Sequence, residues 1–300
     1  MATPAAEIEI DERLVTALLA EQLPVLAALP VAIVGNGWDN TIARVGEEWM
    51  VRLPLRVASA PLIESEQRWL PLLAPSLPLV VPVHWFAGRA SDMFPWAWSV
   101  CRWLPGQSAA VSPPADLAEA ARRLASFVAA LHVPAPADAP LNEFRGVALH
   151  RRAAAVEQRA ATLATMIDGA AVLAVWADLS ATRAWDGPAL WLHGDLHPSN
   201  MLTLDGRLSA IIDFGDITSG DPATDLAVAW MLFPPAEREL FRVAAAIDDD
   251  TWRRAAGWAL NLSLAYLTSD DTTSMPAIGQ ATLSAVLDEF RPYGGSSVVA

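Results

Sequence analysis

The sequence predicts an α+β chain of two lobes, rich in strands first and in helices after. Three observations predict it. Short runs of β-branched and aromatic residues, separated by Gly and Asn, fill residues 31 to 53. From Leu117 onward apolar residues recur at spacings of three and four. Between these textures, Leu104-Pro105-Gly106 interrupts any regular element, which sets the expected boundary between a first lobe, residues 1–105, and a second, residues 106–300. With 300 residues, 53% of them hydrophobic, the chain can bury a large core.

In order, residues 11 to 28 place Leu14, Ala17, Leu18 and Val25 near one helical face, with Asp11 at the N-cap and Pro24 positioned to kink or end the helix. Val31-Ala32-Ile33-Val34, Thr41-Ile42-Ala43-Arg44-Val45 and Trp49-Met50-Val51-Arg52-Leu53 read as three strands. Gly35-Asn36-Gly37 and Gly46-Glu47-Glu48 are the turns between them. A helix over 62–73 and strands at about 83–87 and 97–102 complete a small antiparallel sheet. Beyond the break, Leu117, Ala121, Leu124, Val128 and Leu131 share a helical face, and 150–181 and 251–267 follow the same period. Short extended pieces are expected at 200–204 and 208–212, and a Pro- and Ala-rich loop at 133–140. There is no internal repeat.

The formal net charge of −14 argues against nucleic acid or an anionic membrane as partner, and is compatible with a cationic substrate. All 20 Lys-or-Arg positions are Arg, a bias with a chemical consequence below. The single cysteine, Cys101, allows no internal disulfide and suits a reducing, cytoplasmic setting. Glu7, Glu9, Asp11 and Glu12 read as no secretory signal, and no apolar run approaches the length of a membrane span.

The chemistry concentrates in His193-Gly194-Asp195-Leu196-His197-Pro198-Ser199-Asn200, followed by Asp213-Phe214-Gly215. Protein kinases place a catalytic Asp five residues before a metal-binding Asn, with D-F-G beyond. Asp195, Asn200 and Asp213 keep that layout. Six fixed positions at ordinary residue usage would match by chance on the order of once in 10⁵ such chains. Phosphoryl transfer requires a carboxylate beside the attacking hydroxyl and hard oxygen ligands for Mg²⁺. Asp195 is the candidate for the first; Asn200 and Asp213 are the candidate metal ligands.

Gly194 in place of the kinase Arg, the run from Trp191 to Leu202, Ile212-Asp213-Phe214-Gly215-Asp216, Gly220-Asp221-Pro222 and Asp225-Leu226-Ala227 together resemble the aminoglycoside phosphotransferase family. The resemblance spans roughly residues 30 to 290 and is strongest from 191 to 231. It implies a protein-kinase-like fold, ATP (or GTP) and Mg²⁺ as cofactors, and phosphorylation of a hydroxyl on a small molecule, an aminoglycoside by default. It leaves open a kinase of ordinary metabolites, such as amino alcohols or sugars. Another alternative is a nucleotide-binding module with little catalysis.

The resemblance also implies roles. His193 braces the loop, and Phe214 packs. His197 stands where kinases carry a Lys that touches the γ-phosphate, and its imidazole would do part of that work. The phosphate-binding cation of the first lobe is normally a Lys on the third strand paired to a helix Glu. With no Lys in the chain, Arg52 takes the place, with Glu66 as partner and Glu64 as fallback. Gly35 and Gly37 lie in the nucleotide-covering turn, although plain hairpins use the same residues. The backbone around Cys101 and Trp103 would meet the base. Asp225 would open a helix and brace the loop, and Asp216 and Asp221 would face a substrate amine. Segments 150–181 and 250–291 would wall the substrate pocket.

Overall fold

The computed structural model describes residues 5–269 and 274–290. The outer ends of both expected lobes, 1–4 and 291–300, lie outside the described residues. Helix α1 (Glu12–Gln22) starts where Asp11 accepts the Leu14 N–H at 2.8 Å. It stops short of residue 28. Pro24 has no N–H to continue the ladder, and Pro24–Leu26 form a 3₁₀ turn instead.

β1 (Val31–Asn36), β2 (Asn40–Val45), β3 (Trp49–Pro54), β4 (His84–Gly88) and β5 (Trp98–Arg102) form one antiparallel sheet in the order β1-β2-β3-β5-β4. β1 outruns its expected end. After a bulge, Gly35 and Asn36 pair with Ile42 and Thr41, so both belong to the strand, and the turn shrinks to residues 37–39.

Side chains alternate across a strand, and that alternation sorts the sheet's faces. Ala43, Val45, Val51, Leu53 and Val100 join Val15, Leu18 and Leu19 of α1 in a compact apolar cluster. Arg52 lies between Val51 and Leu53 and so takes the opposite face, where its cross-strand mate is Ser99. Helix α2 (Ala60–Leu73) covers that face, its Gln67 amide donating to the Trp98 carbonyl and the Ser99 hydroxyl. Its buried stripe reads Ile63, Glu66, Trp69 and Leu70, a three-and-four spacing with a carboxylate in it. Glu64, off the stripe, is exposed. Trp69 and Leu70 belong to a second, larger core, so α2 ties the sheet to the helical part of the chain.

The rest is largely helical. A short strand, β6 (Gln107–Ser108), precedes α3 (Leu117–Leu131), which Asp116 caps. The 150–181 stretch resolves into α4 (Ala153–Thr162) and α5 (Gly169–Ser180). Then come β7 (Leu190–Leu192), β8 (Met201–Leu204), β9 (Arg207–Ile211) and β10 (Thr218–Gly220). β8 and β9 form a hairpin that β6 extends, and β7 pairs with β10. Helices α6 (Ala223–Leu226), α7 (Val228–Leu232) and α8 (Pro235–Ala244) lead to α9 (Asp249–Leu267), which is buried along most of its length and flanked by α10 (Met275–Phe290). Among the described residues no helix is long and apolar enough to cross a membrane.

Candidate active site

The loop from His193 to Asn200 is held from beneath by one carboxylate. Asp225, fully buried, accepts the N–H of His193 at 2.8 Å and of Gly194 at 2.9 Å, and contacts His132 Nε2 at 3.1 Å. It lies in the first turn of α6, which begins two residues before it at Ala223. Gly194 has φ of +88°, and a Cβ there would sit 2.2 Å from the Asp216 carbonyl oxygen. Both facts require glycine where protein kinases carry Arg. His193 Nδ1 accepts the Asp195 N–H at 3.2 Å, and its Nε2 lies 3.0 Å from the Ile212 carbonyl. The two contacts fix the Nε2–H tautomer. Its ring packs on buried Phe214 with centroids 4.6 Å apart.

Asp195 is partly exposed, its side chain 26% accessible. One carboxylate oxygen accepts from Arg145 at 3.1 Å, and the other lies 3.3 Å from His197 Nε2. Burial opposes its charge, but His197, Arg145 and His193 together outweigh burial and hold the carboxyl below its ordinary range. The His197 ring is buried and committed: Nδ1 accepts the Ser199 N–H at 3.2 Å, and Nε2 faces Asp195. The Asn200 amide nitrogen donates to the Asp195 carbonyl at 3.0 Å.

Asn200 and Asp213 come together through strand pairing. Met201 and Ile211 are cross-strand mates, and one step beyond them the Ile212 N–H donates to the Asn200 carbonyl at 2.9 Å. Thirteen residues of sequence thus close into adjacent positions at the open end of a hairpin. Asp213 adopts a left-handed conformation, φ 64° and ψ 67°, uncommon for a residue other than glycine, and its side chain stays half exposed. The conformation turns Asp213 toward the sheet, where Arg52 Nη2 donates to it at 3.0 Å.

Arg52 is the most fully paired cation of the site. Its Nη1 reaches both Glu66 oxygens, at 2.5 and 2.6 Å, with both side chains buried. Burial works against the Arg52 charge, but Glu66 and then Asp213 hold it above its ordinary range. Glu66, not Glu64, is the partner, because it alone lies on the stripe of α2 that faces the sheet.

The other expected nucleotide contacts sit differently. The Gly37 N–H closes the hairpin onto the Asn40 carbonyl at 2.8 Å, so it is not free for a phosphate. Gly35 faces open space, and a Cβ there would meet nothing within 4 Å. Cys101 lies in the sheet interior, paired to Met50 on one side and His84 on the other, with its thiol directed at the Pro82 carbonyl. The Trp103 N–H is taken by the Glu48 carbonyl at 2.7 Å, and its ring lies under the Arg44 guanidinium. Cys101 is therefore paired on both sides, and the Trp103 N–H is not free for a base.

Asp221 does not face the cleft. It is buried in a two-point ion pair with Arg254, at 2.8 and 3.3 Å, and accepts the Ala223 N–H. Asp216 stays partly accessible, its carboxyl pushed up to about 6 by burial and by Asp195, against the pull of Arg145. Asn142 donates to it at 2.9 Å.

Sequence reasoning missed Arg145 and Tyr266. Arg145 precedes Gly146, whose φ is +66° and whose Cβ would be 2.8 Å from the Leu192 side chain. Gly146 locks the loop by donating to Thr224 Oγ1 and accepting from the Asp221 N–H. Tyr266 stands edge-on to His197, centroids 5.8 Å apart, with its hydroxyl buried and unpartnered. Burial, then the nearby Asp195, raise its pKa. An Arg-Gly pair in an irregular loop and one Tyr late in a buried helix carry no motif.

The model of the Phosphotransferase enzyme family, APH, matches residues 30–258. The chain belongs to that family. It is a phosphotransferase by family, on a protein-kinase-like fold. Aminoglycoside 2'-phosphotransferase-IIIa, solved with GDP, is 20% identical, with a TM-score of 0.68 over 94% of this chain and 100% of that one. The macrolide 2'-phosphotransferase MphH from Brachybacterium faecium is 23% identical, with a TM-score of 0.60 over 94% and 98%. The streptomycin–ATP–APH(2")-IIa ternary complex is 15% identical, with a TM-score of 0.59 over 88% and 93%. No curated protein sequence matches the chain.

Proposed function

We propose that this phosphotransferase moves the γ-phosphate of ATP, or of GTP in its place, to a hydroxyl of a small molecule, with residues 1–105 as nucleotide lobe and 106–300 as catalytic and acceptor lobe. The observation that carries the reading is the 3.0 Å contact between Arg52 and Asp213. It links the buried cation of the sheet to the carboxylate at the hairpin end, beside the Asp195 loop. Solved relatives that hold GDP or ATP, and one that also holds streptomycin, support a nucleotide donor and a hydroxylated acceptor.

Asp195 orients the acceptor hydroxyl. Its depressed carboxyl is a weak base, which suits a loose transition state in which positioning matters more than early deprotonation. As the new O–P bond forms, the bond from the γ-phosphorus to the β–γ bridging oxygen breaks, the nucleoside diphosphate leaves, and the hydroxyl proton passes to Asp195. His197 and Arg145 hold that carboxylate in place. Arg52 meets the α- and β-phosphates from the pairing with Glu66.

Asn200 and Asp213 fit Mg²⁺ by donor type. The Asn200 amide nitrogen is spent on the Asp195 carbonyl, which leaves its oxygen, and Asp213 keeps one oxygen that Arg52 does not engage. Two hard oxygens suffice, since Mg²⁺ takes few protein ligands beside phosphates and water. Bound there, it would neutralise charge on the transferring phosphate.

The test is acceptor-dependent release of ADP or GDP in a coupled assay, run with both triphosphates across a panel of hydroxylated compounds. Release that requires an acceptor and Mg²⁺ is the expected result. A chain that binds neither triphosphate would end the reading.

A further inference from the structure

The acceptor side of the site is crowded with positive charge. Three arginines gather there. Arg145 holds Asp195, Arg152 ends the 3₁₀ turn Leu149–Arg152, and Arg159 lies on α4. Arg152 and Arg159 are seven residues apart, two helical turns, and so share a face. Arg159 Nη1 donates to Asn261 of α9 at 3.1 Å, and α9 also carries Tyr266 beside His197. The Arg152 guanidinium lies 5.4 Å from the Phe144 ring centroid, one residue from Arg145.

Arg152 and Arg159 lack counter-charges, whereas Asp195 and then Asp216 outweigh burial and hold the Arg145 charge above its ordinary range. Among the described residues, neither Arg152 nor Arg159 forms an ion pair with a carboxylate, and Arg145 shares Asp195 with His197. Glu143 and Glu157, the nearest carboxylates in sequence, are exposed and pair with none of the three. Burial lowers the pKa of Arg152, and Arg145 lowers it further. Burial, Arg152 and Arg145 act in that order on Arg159. Arg145 Nε, Arg152 Nε and the Tyr266 hydroxyl are each buried without a hydrogen-bond partner. Unsatisfied donors and like charges brought together are costly unless a ligand satisfies them.

We propose that the acceptor is a hydroxylated small molecule bearing an oxyanion, a carboxylate or a phosphate group, which Arg152 and Arg159 grip while its hydroxyl lies at Asp195. The proposal rests on the phosphotransferase reading and names its substrate class. A guanidinium fork matches the geometry of an oxyanion, and it repels the ammonium groups of a polycationic acceptor. The overall negative charge of the chain, which suggested a cationic substrate, does not extend to this wall.

Direct titration tests it, with the wild-type chain held at saturating ADP and Mg²⁺ so that the Arg52 side is occupied. The probes are glycerate and glucose 6-phosphate as carboxylate and phosphate, glucose and glycerol as neutral alcohols, and kanamycin as polycation. The expected result is that at least one oxyanion binds about tenfold or more tighter than its neutral counterpart, the scale of one charge-assisted contact. Arg152→Gln and Arg159→Gln should each erase most of that preference while leaving ADP affinity unchanged, which also reports that the variants fold. Arg152→Lys and Arg159→Lys should retain part of it. Tightest binding by kanamycin or by the neutral alcohols, or an oxyanion affinity indifferent to both Gln variants, would overturn the proposal. So would the absence of any oxyanion binding. Failure of ADP itself to bind would count instead against the phosphotransferase reading, and the titrations repeated without ADP would still decide the charge of the acceptor.

Discussion

Arg52 and the pair Arg152 and Arg159 live in opposite electrostatic conditions, and Arg145, held by Asp195 and Asp216, stands between the two cases. Arg52 is enclosed by two carboxylates, Glu66 and Asp213, and its near hydrogen-bonding neighbours are acidic. In the trio of acceptor-side arginines, Arg145 has Asp195, shared with His197, and Asp216 close by, Arg152 and Arg159 have no ion-paired carboxylate among the described residues, and two guanidinium nitrogens stay unsatisfied. One arginine is therefore part of the protein's own framework. Arg152 and Arg159 are poised for something the chain does not itself supply. Charge count by itself does not separate the two cases, because all four carry the same unit charge. Neighbouring carboxylates do.

The largest effect should come from removing the enclosed cation. Arg52→Ala leaves Glu66 buried without its partner, and breaking a buried pair in this way typically costs about 3–5 kcal/mol. Chemical denaturation should show the loss, and titration should show nucleotide affinity falling with it. Arg52→Lys should restore part of both, since an ammonium cannot span Glu66 and Asp213 as a fork does. Equal stability in wild type and Arg52→Ala would erase the distinction drawn between the two regions.

Next in size is the carboxylate that the trio borrows. Asp195→Asn should lower turnover by at least ~10²-fold with nucleotide affinity nearly unchanged. It also removes the ion-pair partner of Arg145, so the oxyanion acceptor should bind the variant at least as tightly as wild type. Near-normal turnover would remove Asp195 from the chemistry.

Asp216 tests the border between the regions by pH. Its folded carboxyl titrates at about 6, above the ordinary value of 3.8, so the folded state holds its proton more tightly than the unfolded state. The contribution is therefore favourable at low pH and is lost as pH rises from about 4 to about 6. Melting temperature should carry a falling component in that window, and Asp216→Asn should remove it. The same slope in the variant would assign the titration elsewhere.

The smallest effect is the most pointed contrast. In the absence of ligand, Arg152→Gln should change stability by no more than about 0.5 kcal/mol, and Arg159→Gln, which gives up the hydrogen bond to Asn261, should cost no more than about 1.5 kcal/mol. A loss near that of Arg52→Ala would mean that these arginines hold the fold together.

Much of the fold could be read from the sequence because its causes are local. Alternation in β2 and β3, the Asp11 cap, the Pro24 stop and the spacing in α3 each act within one turn or one strand pair. Errors arose where a partner strand decides. Gly35 and Asn36 resemble turn residues, yet a bulge lets both pair with β2. Asp221 resembles an open carboxylate after a Gly, until Arg254 arrives from 33 residues away.

By itself the sequence determined the candidate catalytic segment, since a five-residue spacing and a short hairpin bring Asp195, Asn200 and Asp213 to one place by backbone geometry. With no Lys in the chain it also pointed to Arg52 as the sheet cation, with Glu66 or Glu64 as partner, and the buried stripe of α2 decided for Glu66. Only the tertiary structure decided what surrounds those groups. Arg145, Tyr266 and Arg159 come from a loop and two helices far apart in the chain, and no local spacing records their convergence. Whether a charge is neutralised or left waiting depends on distances across the fold, because Coulomb interactions and burial act through space and not along the sequence.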